Sequence, residues 1–386
     1  MTSAVDSGSF DPFAPTDLAD NRERLARARR ACPVTGISPG LHFVGGHEAA
    51  RGVLLDQSAY SNHGNFVLEA GDGPAPPELI TQSDPPEHTA LRSLLRPGFA
   101  RAAITGAAPW IREYADALLA DLPAHGPADL VGDYALPLTA RVIARLVGVP
   151  AQDAGELAQL SLDITAILPA AFTETDAWHR LEAYFTAAAR RRREEPTDDL
   201  ITLLTGTDLA DREVAFHAWQ LFVAGLESTA YTIGSTLRQL LEDRRWWEAL
   251  RADPTLLEGV REEGLRHGSA IRWVLRTVVG DQDLAGTAVR DGERVIVGLE
   301  SANMDESTFG ADAAGFDPRR PTARRHVSFG HGIHLCLGAE LSRIEISTAI
   351  AALVDRMPGL RLAPGSVVEE VAAPMFCGPA RLDVVW

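Results

Sequence analysis

The chain has 386 residues, 46% hydrophobic and 23% charged, a composition typical of a globular protein long enough to bury a large core. Its formal net charge of −17 argues against nucleic acid and anionic membrane surfaces as general partners. Three scattered cysteines, Cys32, Cys336 and Cys377, are too few for a disulfide framework and fit a reducing compartment. No signal-peptide pattern and no apolar run of about 20 residues is visible. The sequence therefore predicts a cytoplasmic protein that does not cross a membrane.

The N-terminal part of the chain is rich in proline and glycine. The first 80 residues are predicted to be largely irregular, with one short strand and one helix between Ile37 and Asp56, and residues 63–86 are predicted to form a long loop. Apolar periodicity and intervening prolines then predict a series of helices. These helices are predicted over 87–99, 107–122, 136–146, 153–167, 175–193, 198–204, 211–242, 246–252 and 255–267.

The pattern changes near Ile271, where alternating residues and the pair Asp291-Gly292 indicate a small sheet with a hairpin turn. An irregular stretch follows, then a last helix predicted over 337–357 and a strand-like tail. Neither a repeat nor a low-complexity linker interrupts the sequence. We therefore expect a single domain over residues 1–386 that is mainly α with a small β part.

One cysteine lies in a glycine-rich loop, SFGHGIHLCLGAELSRIE, which runs from Ser328 to Glu345. Its glycines allow positive φ and close approach of the backbone to a bulky group. Because Cys336 precedes an apolar helical pattern, free N–H groups would favour its thiolate. A structural zinc site needs more ligands, usually paired cysteines, whereas a single thiolate suits haem iron. The alternative is a buried structural cysteine in a glycine-rich turn.

The motif FGxGxHxCxG, from Phe329 to Gly338, resembles the haem-binding loop of the cytochrome P450 family. The resemblance implies the triangular, mainly helical P450 fold and haem b as the cofactor. It makes Cys336 the iron ligand, with Phe329 and Gly330 beside the sulfur.

Other segments resemble the parts of that family that hold the haem propionates. His88 and Arg92 are spaced i, i+4 in DPPEHTALRSLLRPGF, as in the family's His-x-x-x-Arg helix; a solvated helix face is the alternative. By resemblance, His334 and Arg276 complete this group, although Arg276 lacks the proline-bearing stretch that usually precedes it.

A structural ion pair is also implied by the resemblance. Glu263 and Arg266 match the family's Glu-x-x-Arg motif, which fixes the meander below the haem. Relatives often have a third cation at the position of Gly315, and Arg319 or Arg320 is expected to replace it.

The helix predicted over 211–242 contains polar residues in an apolar stretch. Ala224-Gly225 precedes Glu227, Ser228 and Thr229; an interior glycine and a buried carboxylate both cost stability, which suggests a functional site rather than a helix with one polar edge. The segment resembles the family's oxygen-activation motif. By resemblance, Ala224 and Gly225 leave space for dioxygen and Glu227 relays protons. Ser228 replaces the usual threonine, and Thr229 is expected to assist it.

The resemblance implies a monooxygenase that inserts one atom of O2 into a small hydrophobic substrate, such as a terpenoid, polyketide or aromatic secondary metabolite. Electrons would come from a ferredoxin and its NAD(P)H-dependent reductase, and the protein would act as a monomer. A peroxide-driven peroxygenase is disfavoured by Glu227 and Ser228, and a haem-thiolate sensor by the absence of a recognisable output domain. The expected substrate contacts are Phe66, Val67, Leu168, Leu221, Ile271, Met375 and Phe376. The expected dock for the ferredoxin consists of Arg92, Arg96, Arg101, Arg324, Arg325 and Arg343.

Overall fold

The computed structural model describes residues 18–65, 79–100, 104, 106–124, 126–167 and 172–386. The α-helices in these ranges are α1 (Leu18–Ala31), α2 (His47–Leu55), α3 (Glu87–Leu95), α4 (Ala107–Asp121), α5 (Leu136–Val147), α6 (Ala154–Thr165), α7 (Asp176–Glu194), α8 (Leu200–Thr205), α9 (Asp211–Glu242), α10 (Arg244–Ala252), α11 (Leu257–His267), α12 (Leu299–Ala302), α13 (Glu306–Phe309) and α14 (Ala339–Arg356). The strands are β1 (Val34–Ser38), β2 (Leu41–Val44), β3 (Tyr60–Ser61), β4 (Ala128–Asp129), β5 (Trp273–Val278), β6 (Gln282–Leu284), β7 (Thr287–Val289), β8 (Arg294–Gly298), β9 (Arg361–Leu362) and β10 (Asp383–Val385).

The long helix α9 organises the helical part of the molecule. It spans 32 residues, about 48 Å at the α-helical rise, and is buried on almost every face because α5, α7, α11 and α14 pack around it. The carboxylate of Glu213 accepts a hydrogen bond from Ala210 N at 2.7 Å and so satisfies a free N–H at the start of the helix. Both ends of α9 lie where the sequence predicted them.

The largest sheet joins distant parts of the chain. Its strand order is β1-β2-β8-β5-β3; β2 pairs with β8 in parallel, and the other neighbours are antiparallel. Within it, Arg276 of β5 is paired with Val295 of β8. The smaller sheets are β4-β10-β9 and the hairpin β6-β7.

Two predictions about local structure were wrong. The described part of the first 80 residues, 18–65 and 79–80, is not largely irregular, since α1, α2 and three strands form there. Helix α1 has few apolar residues and is held by polar contacts, among them Asn21 with Glu300 at 3.2 Å and Arg29 with Met304 O at 2.8 Å, so apolar periodicity did not reveal it. The hairpin turn is not at Asp291-Gly292 but at residues 285–286, both with positive φ, because β8 pairs with β5 instead of β7.

Candidate active site

The glycine-rich loop that precedes α14 is closed by its own backbone. Cys336 N donates to Phe329 O at 2.8 Å. Gly330 and Gly332 have φ values of 67° and 71°, a region that L side chains rarely adopt. A Cβ at Gly332 would lie 2.5 Å from Leu54 O, so this glycine is also needed for the loop to reach the end of α2. The sequence thus fixes the loop through glycines at the positions that require them.

The side chain of Cys336 is accessible at the surface, although many protein atoms surround it. Cys336 is exposed in the structure, yet desolvation raises the pKa of its thiol. The Gly338 backbone N–H and the charges of Arg92 and Arg343 act in the opposite direction and favour the thiolate. The sulfur therefore opens onto a cleft whose polar groups are suited to an anionic sulfur that binds a metal.

Behind the loop, charged side chains surround Phe329. The Arg343 guanidinium lies 4.8 Å from the centroid of the Phe329 ring and donates to Glu262 Oε1 at 2.9 Å. His326 Nε2 lies 3.4 Å from Glu262 Oε2 and its ring is 5.6 Å from that of Phe329. These contacts connect the cysteine loop to α11 and α14 and hold the aromatic ring in place.

The four residues predicted to hold propionates lie close together, with His88 and Arg276 buried and Arg92 and His334 half-buried. The rings of His88 and His334 lie 4.0 Å apart, and within the described part of the chain neither Nε2 atom has a hydrogen-bond partner. Arg92 Nη2 donates to Leu335 O at 2.7 Å. Burial lowers the pKa of Arg276 to about 10, an effect that nearby Asp84 partly opposes.

The lowered pKa values of these histidines indicate that an anion would stabilise the group. The pKa of His334 is lowered to about 3, first by burial and then by the charges of His88, Arg276 and Arg92. Burial and the charge of Arg92 also lower the pKa of His88. Burial and the neighbouring arginine charges thus keep the two histidines neutral; carboxylates would pair with the arginines and accept hydrogen bonds from the histidines, and two propionates supply two carboxylates. The residues present therefore fit haem.

The carboxyl group of Glu227 is buried on α9, and its hydrogen-bond partners among the described residues are hydroxyl groups. Its Oε1 accepts from Thr165 Oγ1 at 2.9 Å and from the Tyr231 hydroxyl at 3.3 Å. Burial raises the pKa of Glu227 to about 7, and these two hydrogen bonds act against burial. A group that titrates near pH 7 can both take and release a proton under ordinary conditions.

The neighbours of Glu227 face different parts of the molecule. Ser228 Oγ donates to Ala224 O at 3.0 Å, and Ala224 is exposed although most of the helix around it is buried. Thr229 Oγ1 lies 3.1 Å from Ser342 Oγ, so the Thr229 side chain contacts α14. A Cβ at Gly225 would lie 2.7 Å from Ile143 Cδ1, which shows that this glycine permits close packing of α9 on α5.

The predicted structural ion pair is formed and is larger than a pair. Glu263 accepts from Arg266 Nη2 at 2.6 Å and Nε at 2.8 Å, with both side chains fully buried. Arg320 Nε adds a contact with Glu263 Oε1 at 3.2 Å. Of the two expected replacements for a cation at Gly315, the structure places Arg320 here, while Arg319 lies over the Trp246 ring at 5.4 Å.

The predicted substrate contacts are only partly described. Phe66, Val67 and Leu168 lie outside the described residues. Ile271 and Phe376 form an antiparallel bridge, the Phe376 ring is 6.1 Å from that of Tyr231, and Met375 O accepts from Arg272 N at 2.9 Å. Leu221 is buried on α9, one turn before Ala224.

A concavity of about 700 Å³ opens beside the cysteine loop. We call it the loop-side concavity; its charged lining residues are His47, Glu48, Arg51, Arg324, Arg325, His326, His331, Glu340 and Arg343. Arg324 pairs with Glu258, and Arg325 lies 3.5 Å from Glu48. Arg96 is exposed, and Arg101 lies outside the described residues.

Four residues of this arrangement were not predicted. Arg51 and His331 line the loop-side concavity, and Thr165 and Tyr231 contact Glu227. Tyr231 could have been found from its i, i+4 spacing to Glu227 on a helix. Thr165 belongs to another helix, and nothing in the sequence reports that contact.

Comparisons with known proteins agree with this geometry. A sequence model described as Cytochrome P450 matches residues 175–357. A steroid C26-monooxygenase of Mycobacterium tuberculosis is 31% identical over 390 residues, which cover 96% of each chain. A nocardicin C N-oxygenase of Nocardia uniformis is 36% identical over 324 residues, covering 81% of this chain and 80% of that protein.

Solved structures show the same architecture. A mutant of P450 EryK in complex with erythromycin B matches with a TM-score of 0.86 at 29% identity and covers 96% of each chain. The predicted mainly α, P450-like fold is thereby confirmed. In the described ranges, no helix is both long and apolar enough to cross a bilayer. The chain therefore belongs to the cytochrome P450 family, is a monooxygenase and carries haem b as its cofactor.

Proposed function

We propose that this monooxygenase inserts one atom of O2 into a C–H or C=C bond of a small hydrophobic secondary metabolite and receives its electrons from a ferredoxin. Such a reaction consumes two electrons and two protons and reduces the second oxygen atom to water. The observation that carries the proposal is Glu227, a buried carboxyl group with a pKa raised by burial to about 7, which adjoins Ser228 in sequence. A peroxide-driven enzyme has no need of such a proton donor.

Haem would be held by the cysteine loop and by the group of two histidines and two arginines. Cys336 would ligate the iron, and His88, Arg92, Arg276 and His334 would bind the two propionates. When bound, haem supplies the redox chemistry, namely dioxygen reduction and substrate oxidation. The orphaned Nε2 atoms of the two histidines support this assignment, because both would gain acceptors.

The residues of α9 would transfer protons and would limit the volume beside the cofactor. Glu227 would take protons from solvent and pass them toward the Ser228 hydroxyl. That hydroxyl now donates to Ala224 O, and it can turn toward a ligand by giving up one hydrogen bond, at a cost of about 1 kcal/mol. Ala224 would keep the space above the cofactor small and apolar, which excludes water from the reacting atoms.

The substrate would contact an apolar wall. Leu221, Ile271, Met375 and Phe376 are hydrophobic, and no charged residue is among the predicted contacts. The steroid C26-monooxygenase relative supports a hydrophobic substrate class. We also propose a monomeric, cytoplasmic enzyme.

The loop-side concavity would receive the ferredoxin. It lies beside the cysteine loop and presents Arg51, Arg324, Arg325 and Arg343 on a protein of net charge −17. Because Arg324 and Arg325 already contact Glu258 and Glu48, acidic groups of the ferredoxin would compete with these partners.

The reaction is tested with purified, haem-loaded protein. The reduced protein with carbon monoxide is expected to show the thiolate difference spectrum, and C336A to lose it. A panel of steroids and macrolides, scored by the high-spin shift, identifies a ligand. Turnover of that ligand with NADPH, ferredoxin and reductase is expected to exceed turnover with hydrogen peroxide. Turnover with hydrogen peroxide, and none with NADPH, ferredoxin and reductase, would contradict the proposal.

The ferredoxin site is tested by charge reversal. The double variant R324E/R325E is expected to slow ferredoxin-driven reduction about tenfold or more at low salt and to flatten its salt dependence, with R356E, whose partner is Asp116, as a matched control. Stopped-flow reduction at several salt concentrations measures both. Since all 36 basic residues are arginine, R51K would introduce a single side-chain amine for carbodiimide coupling to ferredoxin carboxylates. Unchanged reduction kinetics would rule out this surface.

A further inference from the structure

The carboxyl group of Glu227 is held asymmetrically. Thr165, the last residue of α6, and Tyr231, one turn further along α9, both contact Oε1, at 2.9 Å and 3.3 Å. All three side chains are buried. In the parts of the chain that the structure describes, Oε2 has no hydrogen-bond partner. One oxygen is therefore fixed by two hydroxyl groups, and the other is left to carry the proton of the neutral acid.

Thr165 can respond to the protonation of Glu227. Its hydroxyl has one proton but two acceptors within reach, Leu162 O at 3.0 Å and Glu227 Oε1 at 2.9 Å. When Glu227 is ionised, the bond to the carboxylate is the stronger one because it is charge-assisted. When Glu227 is neutral, the hydroxyl can return to Leu162 O. The rotation of one side chain thus follows the proton.

Tyr231 acts as a constant donor. Burial, and then the nearby charge of Glu227, raise the pKa of its phenol, so it stays protonated at any working pH. Its ring also contacts Phe376, one of the predicted substrate contacts. This contact holds the hydroxyl in place against the carboxyl group.

The two hydroxyl groups are the counterweight to burial. Burial raises the pKa of Glu227 to about 7, and the hydrogen bonds from Thr165 and Tyr231 lower it. Among the described residues of α6, α9 and the segment around Phe376, no charged side chain contributes to this shift. The pH at which Glu227 titrates is therefore set first by burial and is adjusted downward by two neutral groups.

We propose that Thr165 and Tyr231 are positioning residues for proton delivery: they fix Oε1 of Glu227 and leave Oε2 free to give and take the proton. This inference rests on the proposed function, in which Glu227 supplies protons. Thr165 also connects the proton donor to α6, which precedes Leu168, an expected substrate contact, in the sequence. Neither residue touches the reacting atoms.

The test measures the titration of Glu227 directly. In haem-loaded protein, the infrared band of the protonated carboxyl group is followed against pH and assigned by its loss in E227Q. T165V, nearly isosteric, and Y231F each remove one donor and are expected to raise the midpoint by roughly one pH unit. T165S is expected to restore it. S161A is the control, because Ser161 is buried on the same helix but donates to Leu157 O at 2.8 Å.

A second measurement follows function. The pH profile of product formed per NADPH consumed is expected to move upward with the midpoint in T165V and Y231F. Unshifted midpoints in both variants, with coupling lost in E227Q, would overturn the inference alone. Full coupling in E227Q would overturn the proton role in the proposed function, while shifted midpoints would still support the positioning contacts. If T165V fails to bind haem, Y231F, which removes a single oxygen atom, decides.

Discussion

Two buried glutamate sites in this molecule have opposite surroundings. On α9, Glu227 accepts hydrogen bonds from the hydroxyl groups of Thr165 and Tyr231, and burial raises its pKa to about 7. On α11, Glu263 contacts the guanidinium groups of Arg266 and Arg320. Burial alone would also raise the pKa of the neighbouring Glu262, but contacts with His326, Arg343 and Arg261 lower it instead.

The difference in partners indicates which buried glutamate can exchange a proton and which one stabilises the fold. A buried carboxylate that is paired with arginines stays ionised and fixes the elements that it joins, whereas one that meets neutral donors remains able to exchange a proton. Changing the partners should therefore affect folding at α11 and protonation at α9.

The largest effect is expected from breaking the arginine-paired site. R266M leaves Glu263 fully buried with Arg320 as its remaining charged contact beside the Asp317 N–H, and the free energy of unfolding should fall by about 3–5 kcal/mol. Urea unfolding at pH 7 measures it. R356M, which breaks the exposed contact with Asp116, should cost no more than about 1 kcal/mol. Equal losses in the two variants would show that the buried pair is not special.

A smaller and pH-dependent effect is expected at Glu227. Its folded-state pKa of about 7 lies above the ordinary value of 4.5, so the folded protein binds more protons between these pH values and loses stability as the pH rises. E227Q removes this loss and should be more stable than the wild type at pH 8, by up to about 3 kcal/mol, with the gain fading toward pH 4.5. Urea unfolding between pH 5 and 8 checks the slope, with D355N as the exposed control. A gain independent of pH would contradict it.

The smallest effect should separate two adjacent hydroxyl groups. T229V removes the contact with Ser342 and should cost about 1 kcal/mol or less, with product per NADPH unchanged. S228A should leave stability nearly unchanged but lower product per NADPH, because Ser228 adjoins the exposed Ala224 surface. Urea unfolding and product analysis distinguish them. Loss of coupling in T229V and not in S228A would exchange their roles.

The sequence predicted most of the helical scaffold because its signals are local. The bounds of α9 and the spacing of Glu263 and Arg266 are visible in a few neighbouring residues, and the structure agrees with both. Helix α1 was missed because its stability comes from polar contacts with residues more than 240 positions away, such as Asn21 with Glu300.

The sequence predicted which residues form the site but not which other residues they contact. The sequence pointed to Glu227 as a proton donor, yet its partner Thr165 is 62 residues away on another helix. Gly225 was assigned to space for dioxygen, whereas the structure places Ile143 against it. Pairings between helices depend on how their surfaces interlock, which a single sequence does not encode locally.

The close approach of Gly332 to Leu54 O has a consequence for folding order. This approach places the cysteine loop against α2, which directly follows β2 in the sequence. Strand β2 in turn pairs in parallel with β8, some 250 positions later. Such distant contacts form slowly because a long loop must close first. Cys336, the proposed iron ligand, is therefore expected to reach its place only after residues 41–55 have met residues 294–332, which makes capture of the porphyrin a late event in maturation.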